Sequence, residues 1–206
     1  MNPIIAVDFN GALIKPRPFV EAHKSWFELF SVLLKDDSIK DIASKENYFE
    51  NVHRIMYSYL GVSDKESQTI FAREIFSMLL LAEVTTHDLV KEFADYLRTL
   101  KDRYTLAVIT SAPETSVLPM LRKLHCEDIF DIVFSSAVTN YPDKHSLFAD
   151  FISKYDKPLF YIGLGDKYLG GLKELDVATI SVNWVSRGSF RGDYEIDSVE
   201  ELKGLL

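Results

Sequence analysis

Residues 4–14, IIAVDFNGALI, decide how the rest of the chain is read. IIAV at 4–7 is a short apolar run rich in β-branched residues, bounded by Pro3 and by the polar DFNG. That is the pattern of a strand buried on both faces. Its carboxyl end leads to Asp8, and Gly11 permits the sharp turn that exposes this carboxylate. A carboxylate set there is suited to attack an electrophile or to bind a metal. Asp after a strand is equally common as a turn or capping residue, so the rest of the chain has to decide.

Downstream of residue 104 strand and helix patterns alternate. Strands are expected at TLAVIT (105–110), DIVFSS (131–136), LFYIGLG (159–165) and ATISVNW (178–184). Helices are expected at SVLPMLRKLHC (116–126), HSLFADFISKY (145–155) and around GGLKEL (170–175). The final DSVEELKGLL, capped by Asp197 or Ser198, reads as a last short helix. Such alternation predicts an α/β fold with a Rossmann-like parallel sheet and right-handed crossovers.

The stretch between the first two strands differs. Aromatic and aliphatic residues recur at helical spacing from Phe19 to Leu34, Asn47 to Leu60 and Lys65 to Leu81, with Gly61 and Ser63 as punctuation. Thr85 or Thr86 then caps a helix through residues 87–102, with Leu89, Phe93, Tyr96, Leu97 and Leu100 on its apolar face. The expected organisation is an α/β core of residues 1–14 and 85–206, interrupted by an all-helical insertion of residues 15–84.

Composition narrows the function classes. The 206 residues are 47% hydrophobic and 26% charged, as in a folded globular protein. A formal charge of −8 argues against non-specific binding to nucleic acid or to an anionic membrane, both of which rely on excess Lys and Arg. The single cysteine, Cys126, forms no intrachain disulfide and fits a reducing, cytoplasmic setting. No leader pattern opens the chain, and the apolar run IFSMLLLAEV (75–84) is too short to span a bilayer.

In open α/β sheets reactive groups gather at the carboxyl ends of the strands. Here those positions hold Asp8 and Asn10, Thr110 and Ser111, the loop around Lys144, and Asp166. The Thr110 hydroxyl and the backbone N–H groups after it are suited to an anionic oxygen. Lys144 opens a helix, where a cation opposes the helix dipole, so a carboxylate or a ligand is its expected partner. Asp8 and Asp166 together suit Mg²⁺, a hard cation that prefers oxygen. Gly163, Gly165, Gly170 and Gly171 let backbone come close, without the spacing of a dinucleotide fingerprint. His23 and Trp26, with Phe19, Phe27 and Phe30, are expected to form a packing face, and Arg187 and Arg191 to be solvated.

Taken together, IIAVDFNGAL, LAVITSAP, DKHSLFADF and YIGLGD resemble the four motifs of the haloacid dehalogenase superfamily over nearly the whole chain. The resemblance implies a helical cap over the site, Asp8 as nucleophile, and Thr110 and Lys144 as its catalytic partners. It further implies substrate contacts from Asn10, Gly11 and Ser111, and Mg²⁺ held by Asp8, Asn10 and Asp166. A small phosphorylated molecule is the implied substrate, and oligomeric state is left open.

Four departures stand beside those matches. Asn10 replaces the usual acid–base Asp, Ala12 the usual Thr, and Gly170 and Gly171 occupy the place of a further acid, while Tyr141 competes with Lys144 for the third motif. An amide cannot protonate a leaving oxygen or activate water, which typically costs ~10²–10⁴ in rate. The expected function is therefore a Mg²⁺-dependent phosphohydrolase with weak or specialised turnover, one that borrows an acid such as His23 or acts where little protonation is needed. The alternatives are an impaired protein that binds a phosphorylated ligand or a partner, and, ranked last, a dehalogenase.

Overall fold

The computed structural model describes the backbone of all residues except 1, 45, 46, 140–143, 166, 187 and 190, and the same side chains except also 43, 44, 167, 168 and 170. Strand β1 (Ile4–Asp8) is followed by α1 (Arg17–Leu34), a 3-10 segment (Asp37–Ser44), α2 (Tyr48–Leu60), α3 (Lys65–Glu83), a 3-10 turn (Thr86–Asp88) and α4 (Lys91–Leu100). Then come β2 (Thr105–Pro113), α5 (Glu114–Lys123), β3 (Ile132–Ser136), α6 (Lys144–Lys154), β4 (Phe160–Leu164), α7 (Lys167–Glu174), β5 (Ala178–Val182), β6 (Tyr194–Ile196) and α8 (Val199–Lys203).

The strands form one parallel sheet in the order β3-β2-β1-β4-β5-β6, so β1 is central, paired with β2 on one side and β4 on the other. Its alternation divides two cores. Ile5 and Val7 face a cluster with Phe93 and Leu97 of α4 and Val117 and Leu121 of α5. Ile4 and Ala6 face Phe148 and Phe151 of α6 and Leu172 of α7. Ile5 and Val7 are each 0% exposed, and burial of such a side chain stabilises by ~1.5–3 kcal/mol. The α/β class with a parallel sheet and surrounding helices is thus as the sequence predicts.

The helices between β1 and β2 carry a core of their own: Trp26, Phe27 and Phe30 of α1 pack on Ile39 and Ile42, on Val52, Ile55 and Met56 of α2, and on Ala72 of α3. Helix α3 is also fastened to the sheet side. Thr115 Oγ1 donates to Ser77 Oγ at 3.1 Å, and Lys123 Nζ donates to the Leu81 carbonyl at 2.7 Å.

Three details differ from the sequence reading. Thr85 caps a 3-10 turn and not α4, which starts only at Lys91. Leu89 therefore lies outside α4. It pairs with Ile14 in an antiparallel bridge, and Val90 N donates to the Leu13 carbonyl at 2.9 Å, because the two chain crossings between sheet and inserted helices satisfy each other's backbone groups. Strand β6 was not anticipated, since three half-polar residues offer no readable period. Ser198, of the two residues named for α8, is the cap, its Oγ accepting from Glu201 N at 3.2 Å. No helix among the described residues is long and apolar enough to cross a membrane.

The crossings are also pinned electrostatically. Arg17 donates from Nε and Nη2 to the two Asp88 carboxylate oxygens at 2.8 and 2.7 Å, and Asp88 also accepts from Thr85 N and Oγ1. The Arg17 hydrogen bonds hold the Asp88 carboxyl down at about 2, from an ordinary 3.8. A carboxyl depressed by folding contributes stability that is complete above its unfolded value and is lost as pH falls through the folded one. Asp88→Asn is therefore expected to lower stability by ~1–2 kcal/mol at neutral pH, discounted because half of the Arg17 side chain meets solvent. The deficit should shrink progressively from about pH 5 and be lost near pH 1, below both values. Denaturant unfolding of both proteins across that range checks it, and a deficit as large at pH 2 as at neutral pH would contradict it.

Candidate active site

Register sets where the side chains meet. Asp8 pairs with Ile109 across β1 and β2, so Thr110 lies one position beyond Asp8 on the neighbouring strand. Leu164 ends β4 on the other side, and Lys144 opens α6. All of them stand at the carboxyl edge of the sheet, where such sites form.

Asp8 is 2% exposed and Lys144 7%. Lys144 Nζ donates to Asp8 Oδ2 in a close ion pair and to Tyr161 Oη at 3.2 Å. A buried cation at a helix N-terminus is doubly unfavourable, from desolvation and from the dipole, and the Asp8 carboxylate offsets both. The third-motif choice between Lys144 and Tyr141 is thus seen from one side: Lys144 reaches Asp8, while Tyr141 lies outside the described residues.

Two glycines make room for this pair. Gly11 has φ +86°, a conformation an L side chain resists, and a Cβ there would stand 3.0 Å from the Leu164 Cβ. A Cβ on Gly163 would lie 2.8 Å from the Tyr161 ring and 3.2 Å from the Asp8 Cβ. Backbone bonds Gly11 N to Ile14 O (2.7 Å) and Ile14 N to Phe9 O (2.9 Å) close the turn that carries Asn10.

Thr110 is buried, and its Oγ1 accepts from Ala112 N at 3.1 Å, which orients the loop after β2. The Ser111 carbonyl accepts from Ser136 Oγ at 2.8 Å and from Arg73 Nη2 at 3.3 Å. Arg73, on α3, also donates to Ser136 Oγ, so a guanidinium from the inserted helices reaches the ends of β2 and β3.

These groups floor a cavity of about 370 Å³. From the carboxyl edge of the sheet and the turn and helix beside it come Asp8, Asn10, Thr110 to Pro113, Lys144 and Leu164; from the inserted helices come Phe19, His23, Trp26, Tyr48, Phe49, Val52, Ala72, Arg73 and Phe76. The aromatic group expected to be packing alone therefore divides. Phe27 and Phe30 are core alone, Phe19 and His23 line the cavity, and Trp26 does both: it packs in the same core as Phe27 and Phe30 and lines the cavity. His23 Nδ1 lies 3.0 Å from Tyr48 Oη, and burial holds its pKa below the ordinary 6.5. Tyr161 and Arg73 were not singled out from sequence. A tyrosine within a strand and an arginine within a helix carry no mark of what they meet across the chain.

Asn10 lines the cavity, and its side-chain oxygen is buried with no hydrogen-bond partner among the described residues. Together with Asp8 this is an all-oxygen donor set, as Mg²⁺ requires. Asp166 lies outside the described residues, and among the described residues no group of three His, Cys, Asp or Glu could hold a metal. Gly171 lies in α7. Arg191 pairs with Glu195 at 3.0 Å and is 86% exposed, away from the cavity, and Arg187 is outside the described residues. Cys126 is buried, which pushes its thiol up to about 11 and leaves it unreactive.

A buried Asp–Lys pair thus stands at the carboxyl edge of a parallel sheet, in a cavity shared with the inserted helices. The family profile of haloacid dehalogenase-like hydrolases matches residues 8–154, and the chain belongs to that family. Among solved structures it is similar to a HAD phosphatase from Thermococcus onnurineus (21% identity, TM-score 0.65, covering 100% of this chain and 97% of that one). It is similar to CbbY from Rhodobacter sphaeroides in complex with xylulose-(1,5)-bisphosphate (20%, TM-score 0.65, 98% and 96%). A third is the HAD-hydrolase YfnB from Bacillus subtilis bound to magnesium (16%, TM-score 0.65, 100% and 98%). No curated protein sequence matches the chain.

Proposed function

We propose that this protein is a phosphohydrolase that cleaves a small phosphate monoester through an aspartyl-phosphate on Asp8, with residues 15–84 as its cap. The observation that carries the reading is the buried Asp8–Lys144 pair on the floor of the roofed cavity. A structural ion pair has no need of a cavity, and a nucleophile that must be shielded from water does. The phosphatase and the bisphosphate complex among the similar structures favour phosphate over a carbon–halogen bond.

An Asp8 carboxylate oxygen forms a bond to phosphorus while the bond from phosphorus to the substrate oxygen breaks, and the electron pair leaves on that oxygen. Lys144 offsets the negative charge gathered at Asp8 and the phosphoryl group. The Thr110 hydroxyl and the backbone N–H of Ser111 hold phosphoryl oxygens, whereas the Gly11 N–H, named from sequence as a substrate contact, is spent on the Ile14 carbonyl at 2.7 Å. Mg²⁺ would be held by Asp8, Asn10 and Asp166, and when bound it supplies charge neutralisation and orientation of the phosphoryl group. Water then attacks phosphorus, the bond from phosphorus to the Asp8 oxygen breaks and its electron pair restores the carboxylate, inorganic phosphate leaves, and the water's proton passes through solvent to the departed oxyanion.

Release of p-nitrophenol from p-nitrophenyl phosphate, with and without Mg²⁺ and with Asp8→Asn as control, tests the reading, since this leaving group needs no acid. Activity that requires both Asp8 and Mg²⁺ is the expected result. The specific observation behind a second reading, a ligand-binding protein without turnover, is Asn10 at the acid–base position. No activity above the Asp8→Asn control would favour that reading, with halide release as the check on dehalogenation.

A further inference from the structure

We infer that the group this protein removes phosphate from is aromatic: its substrate is a small phosphate monoester of a phenol. The inference rests on the phosphohydrolase reading and adds the chemistry of the leaving group, from two observations that are independent of each other.

The first is the wall that faces the leaving group. Phe19, Trp26, Phe49, Val52 and Phe76 supply ring faces and edges and a branched alkyl surface. Of the polar atoms on this wall, Trp26 Nε1 donates to the Ala72 carbonyl at 3.1 Å, and His23 Nδ1 and Tyr48 Oη, both at the cavity, are engaged with each other at 3.0 Å. Arg73 is drawn toward Ser111 and Ser136, at the phosphate end of the cavity. A sugar carries a hydroxyl on nearly every carbon, and each one desolvated without a partner weakens binding. A ring loses no hydrogen bonds there and gains stacking and edge contacts. Phe49, 50% exposed at the rim, is a large apolar surface that such a ring would cover.

The second observation is the missing acid. Among the described residues that line the cavity Asp8 is the one carboxylate, and Asn10 cannot give a proton. Burial keeps His23 largely neutral at pH 7, so it is no ready donor either. An aliphatic alkoxide, whose conjugate acid is about as weak as water, leaves poorly under those conditions. A phenolate, with a conjugate acid near ~10, departs unprotonated far more easily. The cavity of about 370 Å³ is of a size for one or two rings with their phosphate, and its helical roof suits a free small molecule over a side chain on a protein.

The test is a panel assayed with the wild-type protein and Mg²⁺: phenyl and naphthyl phosphate, phenylethyl phosphate, glycerol phosphate, a hexose phosphate and a phosphotyrosyl peptide. Naphthyl phosphate should exceed the hexose and glycerol phosphates by about a hundredfold or more in kcat/KM. Phenylethyl phosphate, apolar but with an alkyl leaving group, should keep a low KM and lose kcat. Phe49→Ser should raise KM for naphthyl phosphate about two- to tenfold and leave inhibition by inorganic phosphate unchanged. Asp8-dependent turnover that favours a sugar phosphate or the peptide, or a Phe49→Ser variant with unchanged KM, would overturn the inference and leave the phosphohydrolase reading intact. Absence of Asp8-dependent turnover on every compound, p-nitrophenyl phosphate included, would sink both.

Discussion

Asn10→Asp should raise kcat/KM on alkyl phosphates such as glycerol phosphate by ~10²–10⁴ while changing kcat/KM on p-nitrophenyl phosphate only a few-fold. A carboxyl group at this place, on the turn fixed by the Gly11–Ile14 hydrogen bond and lining the same cavity as Asp8, restores a group that can protonate the departing oxygen and later take a proton from water. The selectivity of the gain is the informative part. A substitution that merely improved folding or metal retention would raise both substrates together, and an equal gain on both would contradict the role assigned to Asn10. No gain on the alkyl substrate would do so as well.

Lys144→Met is expected to abolish turnover and to destabilise the protein in metal-free buffer. The pair it breaks is almost wholly buried, so removal of the cation strands the Asp8 carboxylate in a low-dielectric site. Loss of one partner of such a pair costs ~3–5 kcal/mol, which for a chain of this size lowers Tm by roughly 6–20 °C. The double variant Asp8→Asn with Lys144→Met removes both charges and should recover most of that stability without recovering any turnover. A single variant as stable as wild type would mean that Asp8 and Lys144 do not form the buried pair on which the site is built.

The strands were legible because burial on both faces leaves a short apolar run bounded by polar or turn residues, as at Ile4–Val7. The long helices α1 to α3 were legible from their repeated aromatic and aliphatic spacing. What failed was local. The start of α4 was misplaced because Leu89 fits a helical stripe and is claimed instead by a bridge to Ile14, a partner 75 residues away that periodicity cannot register. On the site, Asp8, Thr110 and Lys144 stood out because strand ends and helix starts are places where a charged or hydroxyl side chain has a reason to be. The cavity wall was harder: Trp26 and Phe27 are adjacent in one helix, and only the packing of α2 and α3 decides that Trp26 faces the cavity while Phe27 turns inward. Arg73 was invisible for the same reason, since its partners Ser111 and Ser136 lie on strands reached through the closure of α3 onto β2.

Transfer of the phosphoryl group to Asp8 itself is tested by mixing the protein with Mg²⁺ and radiolabelled phenyl phosphate, quenching with acid within the first turnover, and mapping the label by peptide. An acid-stable, base-labile phosphoryl group is expected on the peptide that contains Asp8, absent from the Asp8→Asn variant. Label on another peptide, or product formed at full rate with no labelled protein at any quench time, would contradict it.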